Sequence, residues 1–331
     1  HIPEAKELND AISLQLADDK RNYIFLDEIQ EVEGFDKVVR SLILNPQNDV
    51  YLTGSNSSML SSEIASRLAG RSIQIHVHPL TYGEFLEFHS YTDSDESLAT
   101  YLRYGGLPYL MHLPEQKTWS EYLGGVTDAV VYRDVVSRHS LRNTDFLQRL
   151  LRFLADNTGQ IFNAKRISDY LKSQRISTSV TGVQSYIAYV EEAYIINRIR
   201  RWDIEGKRYF EIGEKIFFED LGIRNSIVGY RPNDIGGLME NAVYNHLRAH
   251  GYEVKIGVGI QGREIDFIAE KDNEYRYVQV ALSILNEATA RREFGNLENI
   301  PDNYEKIVVT YSESAPNTYN LSLIHISEPT R

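Results

Sequence analysis

Cysteine is absent from the 331 residues. That excludes disulfides and thiolate metal sites, and it favours a cytoplasmic home. No run approaches the roughly 18 consecutive apolar residues of a membrane-spanning helix, and no leader-like pattern opens the chain, so no membrane partner is expected. Positive charge is in deficit, with 35 Lys and Arg against 47 Asp and Glu for a net −12. A chain of that sign does not coat nucleic acid through its overall field, so such contacts would need a local basic patch. A fourth absence is Gly-x-x-x-x-Gly-Lys-Ser/Thr, which occurs nowhere. Gly206-Lys207 falls in a turn between strand-like runs, so these residues supply no backbone cradle for phosphates.

What remains is an ordinary globular composition, 42% hydrophobic and 25% charged, long enough for two or three domains. Residues 1–80 alternate short apolar runs with helical patterns. The runs Tyr23 to Leu26, Val50 to Leu52 and Ile73 to Val77 are separated by helix-like stretches at Phe35 to Leu44 and Ser58 to Ala69. Continuous apolar strands between helices predict a parallel sheet covered on both faces. Residues 81–144 read as mainly helical, broken at Gly105-Gly106-Leu107-Pro108.

The strongest chemical signal is Tyr23-Ile24-Phe25-Leu26-Asp27-Glu28. Ligands of open parallel sheets sit beyond the carboxyl ends of the strands, where these two acids lie. Asp27 suits a metal held through water, and Glu28 suits orientation of a water attacking a γ-phosphate. The alternative is a cap at Asp27 with Glu28 facing solvent. Thr53-Gly54-Ser55-Asn56 ends the next strand and would bring small polar groups beside Asp27, or cap the following helix. Arg67-Leu68-Ala69-Gly70-Arg71 offers a cation to a transition state, or simply ends a helix.

Together with Pro79-Leu80-Thr81-Tyr82-Gly83-Glu84-Phe85 and Tyr104-Gly105-Gly106-Leu107-Pro108, these segments resemble a prokaryotic family of predicted AAA-type ATPases with a C-terminal domain of unknown function. The resemblance implies ATP and Mg2+ as cofactors, Asp27 and Glu28 as the Walker B pair with Asp27 toward the metal, and Ser55 or Asn56 as the sensor. Arg67 and Arg71 become candidate arginine fingers, toward a further copy or a protein partner. In that family the phosphate loop precedes Walker B, so the chain reads as opening downstream of it, at His1, and as binding ATP weakly alone. The expected fold is α/β: a partial P-loop NTPase core over 1–80 and a helical lid or linker over 81–144.

Residues 145–230 show three helical patterns followed by a hairpin turning at Glu205-Gly206-Lys207, the order of a winged helix-turn-helix. Residues 161–210 hold nine Lys or Arg against five Asp or Glu. Arg175, Arg198, Arg200, Arg201, Lys207 and Arg208 suit phosphate contacts to DNA. The presumed recognition helix, Thr178 to Val190, carries no Lys or Arg, which leaves a protein-binding role equally open.

Residues 231–320 resemble a restriction-endonuclease-like PD-(D/E)-x-K module, with Glu240 on a helix, Asp266 on one strand and Gln279-Val280-Ala281 on the next. That chemistry needs acids to hold a divalent ion and a lysine to orient water. With Ala281 at the lysine position the site reads as degenerate, leaving Glu240 and Asp266 to bind metal weakly or pair with Arg263. His76 and His78 share one face of their segment with no evident acid partner, so they read as ordinary polar residues. Residues 321–331, Leu-Ser-Leu-Ile-His-Ile-Ser-Glu-Pro-Thr-Arg, resemble a translated transposase adapter used in sequencing-library preparation, and are expected to be a non-native tail.

Overall fold

The structure is a computed structural model. It describes residues 4–17, 19–55, 70–114, 116–176, 178–259, 262–283, 294–311, 318–319 and 321–325. Two compact units result, one from residues 1–76 with 192–194 and the other from 77–191 with 195–331.

In the first unit, α1 (Ala5–Ser13) and α2 (Phe35–Leu42) pack against β1 (Asn22–Leu26) and β2 (Asn48–Leu52). The two strands are parallel neighbours, in register from Asn22 opposite Asn48 to Leu26 opposite Leu52. Period-two alternation sorts their side chains. Ile24 enters a core with Leu8, Val38, Val39 and Leu42, while Phe25 and Tyr51 stack on each other at 4.9 Å and stay exposed. Among the described residues, therefore, the sheet is covered on one face and not on both. Ile73 to Val77 forms no strand either; Ile73, Ile75 and Val77 are exposed. Apolar alternation gives a segment strand propensity, but a strand exists only where another offers it a ladder. The helix expected at Ser58 to Ala69 lies outside the described residues.

The second unit begins with α3 (Tyr82–His89), α4 (Asp95–Tyr104) and α5 (Gln116–Val130), which runs on into a π-helical stretch at Val131–Ser137. The two family-like motifs here are structural. Thr81 and Glu84 close a capping box on α3, satisfying backbone N–H groups at its start. Gly106 lies where a Cβ would come within 2.1 Å of the Leu80 carbonyl oxygen. Its own N–H donates to Asp220 Oδ2 at 2.7 Å. That break in the helices is thus a seat for Asp220, whose Oδ1 caps the next helix through the N–H of Ile223.

Then come α6 (Thr144–Asp156), β3 (Ile161–Phe162), α7 (Ala164–Ser173), α8 (Val180–Glu192), β4 (Ile196–Asp203) and β5 (Arg208–Phe218). Side-chain acceptors from Asn143 and Asn163 cap α6 and α7. After α9 (Leu221–Val228) and α10 (Ile235–Ala249), strands β6 (Glu253–Val258), β7 (Glu264–Lys271), β8 (Glu274–Ala281) and β9 (Glu305–Thr310) follow. Residues 294–298 are helical.

Together with β10 (Thr318–Tyr319) and β11 (Leu321–His325), these strands form one mixed sheet ordered β10-β11-β9-β8-β7-β6-β4-β5-β3. The hairpin β4–β5 is not a free-standing flap, because β4 pairs in parallel with β6 from Arg201 to Asp203. The segment read as a non-native tail adds β11 in parallel to β9, as its apolar alternation permits. Helix α10 lies against the sheet through Val243, Tyr244 and Leu247, which meet Phe217, Ile256 and Phe267. Ile265, Ile268, Phe294 and Leu297 form a second core.

Candidate functional site

Asp27 and Glu28 follow β1 directly, and the end of β2 meets them. Thr53 is the joint. Its N–H donates to the Leu26 carbonyl at 2.9 Å, its carbonyl accepts from Ile29 N–H at 3.2 Å, and its hydroxyl accepts from Glu28 N–H at 3.1 Å while donating to Asp27 Oδ1. The chain then turns through Glu28 in the left-handed region, φ 48° and ψ 45°, which costs a non-glycine residue about 1–3 kcal/mol. Ser55 N–H donates to Glu28 Oε2 at 3.2 Å, and the Gln30 side chain also donates to that oxygen. Both acids are thereby fixed at the carboxyl edge of a parallel pair. Of the two sensor candidates, Ser55 meets Glu28 through its backbone, and Asn56 lies outside the described residues. The side chain that touches Asp27 is Thr53, which the sequence placed nearby without singling it out. Arg67 is also outside the described residues, and Arg71 is exposed.

A second constellation is built on β5. Lys215 is 3% exposed and meets three carboxylates: Glu264 Oε1 at 2.7 Å, Glu240 Oε2 at 2.9 Å and Asp266 Oδ1 at 3.7 Å. Asn241 and Asn245 tie α10 to the end of β5. Asn241 accepts from Phe218 N–H at 2.8 Å and donates to its carbonyl at 2.7 Å; Asn245 donates to the Phe218 and Glu219 carbonyls. Glu240 is thereby set over Lys215. Gly159, at φ +77°, passes beneath it, where a Cβ would lie 3.2 Å from Glu240 Oε2. Asp266 is held from β8: its Oδ2 accepts from Val280 N–H at 2.8 Å, and its own N–H donates to the Gln279 side chain at 3.4 Å.

The electrostatics follow from one ammonium shared by three acids. Burial opposes the charge on Lys215, but Glu240, Asp266 and Glu264 outweigh it and hold its pKa above the ordinary lysine value. Asp266 has the longest of the three contacts and is the most buried acid. Burial and then Glu240 push it up to about 7, against the pull of Lys215 and the Val280 N–H. The lysine is charged, and burial together with the neighbouring acids is felt most at Asp266.

Sequence reading sought this amine at Ala281, two residues after Gln279. Ala281 instead packs with Ile265 and Leu297, and the amine that reaches the acids comes from β5. Arg263 is exposed, and Glu240 and Asp266 take Lys215 as their cation. No local spacing could have found Lys215. The one available signal was a Lys placed directly before the apolar run Ile216-Phe217-Phe218.

The cations chosen for phosphate contact are placed unequally. Arg198 donates to Glu191 Oε2 at 2.7 Å from Nε. Arg208 lies 3.6 Å from Asp203 and is largely exposed. Arg200 and Arg201 lie over the rings of Tyr209 and Phe210. Lys207 is exposed in the hairpin turn and Arg175 at the end of α7, both with positive φ. His78 does have an acid partner: its Nδ1 lies 2.6 Å from Glu219 Oε1, because the fold returns to it a residue far along the chain. No helix among the described residues is long and apolar enough to cross a membrane.

Comparison with known proteins places the chain in a family. Residues 2–86 match the family model of an AAA domain, and residues 95–234 match that of a domain of unknown function (DUF8612). An uncharacterized protein of Haemophilus influenzae is 34% identical over 314 residues, which is 93% of this chain and 77% of that protein. The uncharacterized protein MJ1544 of Methanocaldococcus jannaschii is 30% identical over 326 residues, 93% of this chain and 72% of its own. The chain therefore belongs to one family with these two proteins and carries an AAA domain over residues 2–86.

Proposed function

We propose that the AAA domain hydrolyses ATP and that its nucleotide state is coupled to DNA binding by the downstream segments. The observation that carries the reading is Asp27, placed just past β1 with its carboxylate bonded by Thr53 from the end of the parallel neighbour β2. Carboxylates at that edge suit Mg2+ held through water, with Glu28 positioning the attacking water. The hard oxygen donors fit that ion, which would neutralise charge developing on the phosphates. A cradle of backbone N–H groups and a Lys is not encoded in these 331 residues, so ATP binding by them alone is expected to be weak. Arg71 and Arg67 are proposed to reach a neighbouring copy or a partner as arginine fingers.

The DNA-binding part of the reading rests on the order α6-β3-α7-α8-β4-β5, that of a winged helix, and on the local excess of nine cations over five anions between 161 and 210. Exposed Lys207, Arg208 and Arg175 would meet phosphates there. Residues 231–320 would then be a nuclease-like module, and residues 81–144 the lid or linker.

The test is ATP turnover by the full-length protein with and without duplex DNA. Turnover stimulated by DNA, and lost with retained ATP binding in Glu28→Gln, is the expected result. Tight ATP binding without turnover would favour a DNA- or protein-binding regulator that uses ATP only as a switch. A low-micromolar ATP dissociation constant for residues 1–320 alone would overturn the expectation of weak binding.

A further inference from the structure

We propose, on the reading that ATP turnover is coupled to DNA, that residues 78–81 are a taut tether passing the nucleotide state of the first unit to the hairpin β4–β5. The chain leaves residues 1–76 for the second unit at this point. A slack, flexible crossing would absorb movement, whereas a crossing fixed at each residue passes it on. Here His78 Nδ1 lies 2.6 Å from Glu219 Oε1, and the two side chains are only 18% and 12% exposed. Pro79 follows, its φ set by its own ring. The Leu80 N–H donates to the Gly106 carbonyl at 2.8 Å, and the Leu80 carbonyl accepts from the Tyr101 hydroxyl at 3.1 Å. Thr81 then caps α3 directly.

The acids at the receiving end are neighbours, because Glu219 and Asp220 are the two residues between β5 and α9. Asp220 takes the N–H of Gly106, whose carbonyl holds Leu80. Glu219 makes the connection to the hairpin. Its second oxygen accepts from Asn197 Nδ2 at 2.6 Å, and Asn197 lies on β4, the strand that carries Arg198, Arg200 and Arg201. Its backbone is held as well: the N–H donates to the Ile195 carbonyl at 3.1 Å, and the carbonyl accepts from Asn245 of α10 at 2.9 Å. A carboxylate with one oxygen on His78 and the other on Asn197 cannot follow one partner without straining its bond to the other. Displacement of His78 is therefore felt at the strand whose cations are proposed to meet phosphates. His78 and Glu219 are positioning residues, remote in the chain from Asp27 and Glu28.

The test uses the full-length protein. Hydrogen exchange of the β4 and β5 amides is compared with and without saturating ATP, and ATP turnover is measured with and without duplex DNA. In the wild type, ATP is expected to change exchange across the hairpin by about fivefold or more. His78→Ala and Glu219→Ala are each expected to abolish that change and to cut DNA stimulation by about fivefold or more, with basal turnover within about twofold of wild type. The double variant should be no worse than either single one, because the two side chains act through one contact. A merely structural contact would lower the unfolding midpoint and basal turnover together and leave the ATP-dependent exchange in place. Where Glu219→Ala fails to fold, His78→Ala, which leaves the Asn197 contact intact, decides alone. The proposal is overturned by an absence of any ATP effect on the hairpin in the wild type, or by an effect that survives in His78→Ala. DNA stimulation retained in His78→Ala overturns it too, and leaves the DNA reading standing. An ATP effect lost in His78→Ala, with no DNA stimulation in the wild type, supports the tether and sinks the DNA reading instead.

Discussion

The molecule handles carboxylates in two opposite ways. Asp27 stands exposed at the end of β1, positioned by a neutral hydroxyl, with Glu28 held by backbone and amide N–H groups. Asp266 and Glu240 are drawn into the fold around Lys215. An acid in water keeps its charge at little cost and needs only orientation. A buried acid needs a cation or hydrogen-bond donors, or else it takes up a proton, and around Lys215 the acids also repel one another. The first arrangement is the one that the proposed ATP and Mg2+ would use. In the second, part of the counter-charge is built in.

The comparison breaks most visibly at Lys215. Lys215→Met strips the only cation that the buried acids share among the described contacts, and is expected to destabilise the second unit by about 3–5 kcal/mol. Denaturant unfolding measures this loss. Gly106→Ala tests a contact with no charge partner to relax: a methyl 2.1 Å from the Leu80 carbonyl should cost about 2–3 kcal/mol in the same assay.

Asp220 supplies the pH dependence of a buried acid that has no lysine. Burial raises its pKa to about 6, against the pull of the Gly106 and Ile223 N–H groups. The folded state therefore holds a proton that the unfolded chain has released between about pH 4 and 6, so stability falls as pH rises through that window, by about 3 kcal/mol in all. The unfolding midpoint of the wild type should decline across it. Asp220→Asn should lack that decline while losing stability above it, because one amide oxygen cannot accept from both N–H groups. The smallest effect belongs to the exposed site. Thr53→Val should cost the first unit about 1 kcal/mol or less in stability while releasing Asp27, so that ATP turnover in the full-length protein falls much further than folding does.

Much of the fold was legible because its signals are local. Apolar runs gave β1 and β2, the strands carrying Asp266 and Gln279 were placed as β7 and β8, and Glu205-Gly206-Lys207 marked the hairpin β4–β5. The misreadings arose where partners decide. Ile73 to Val77 has the alternation of a strand but joins no ladder, and β4 looks like half of an isolated hairpin until it pairs with β6. His78 reads as partnerless until Glu219 is folded back to it.

The sequence by itself determined Asp27-Glu28, because an apolar strand followed at once by two acids is a pattern contained in six consecutive residues. It also determined that Gly105-Gly106 breaks the helices, though not that the break seats Asp220. Only the tertiary structure decided the Lys215 site. Its four charged groups come from β5, α10 and β7, and sheet order rather than sequence spacing brings them within 4 Å. A strand's own residues fix which way each side chain points. Which side chains it meets depends on neighbours that the chain reaches only after folding.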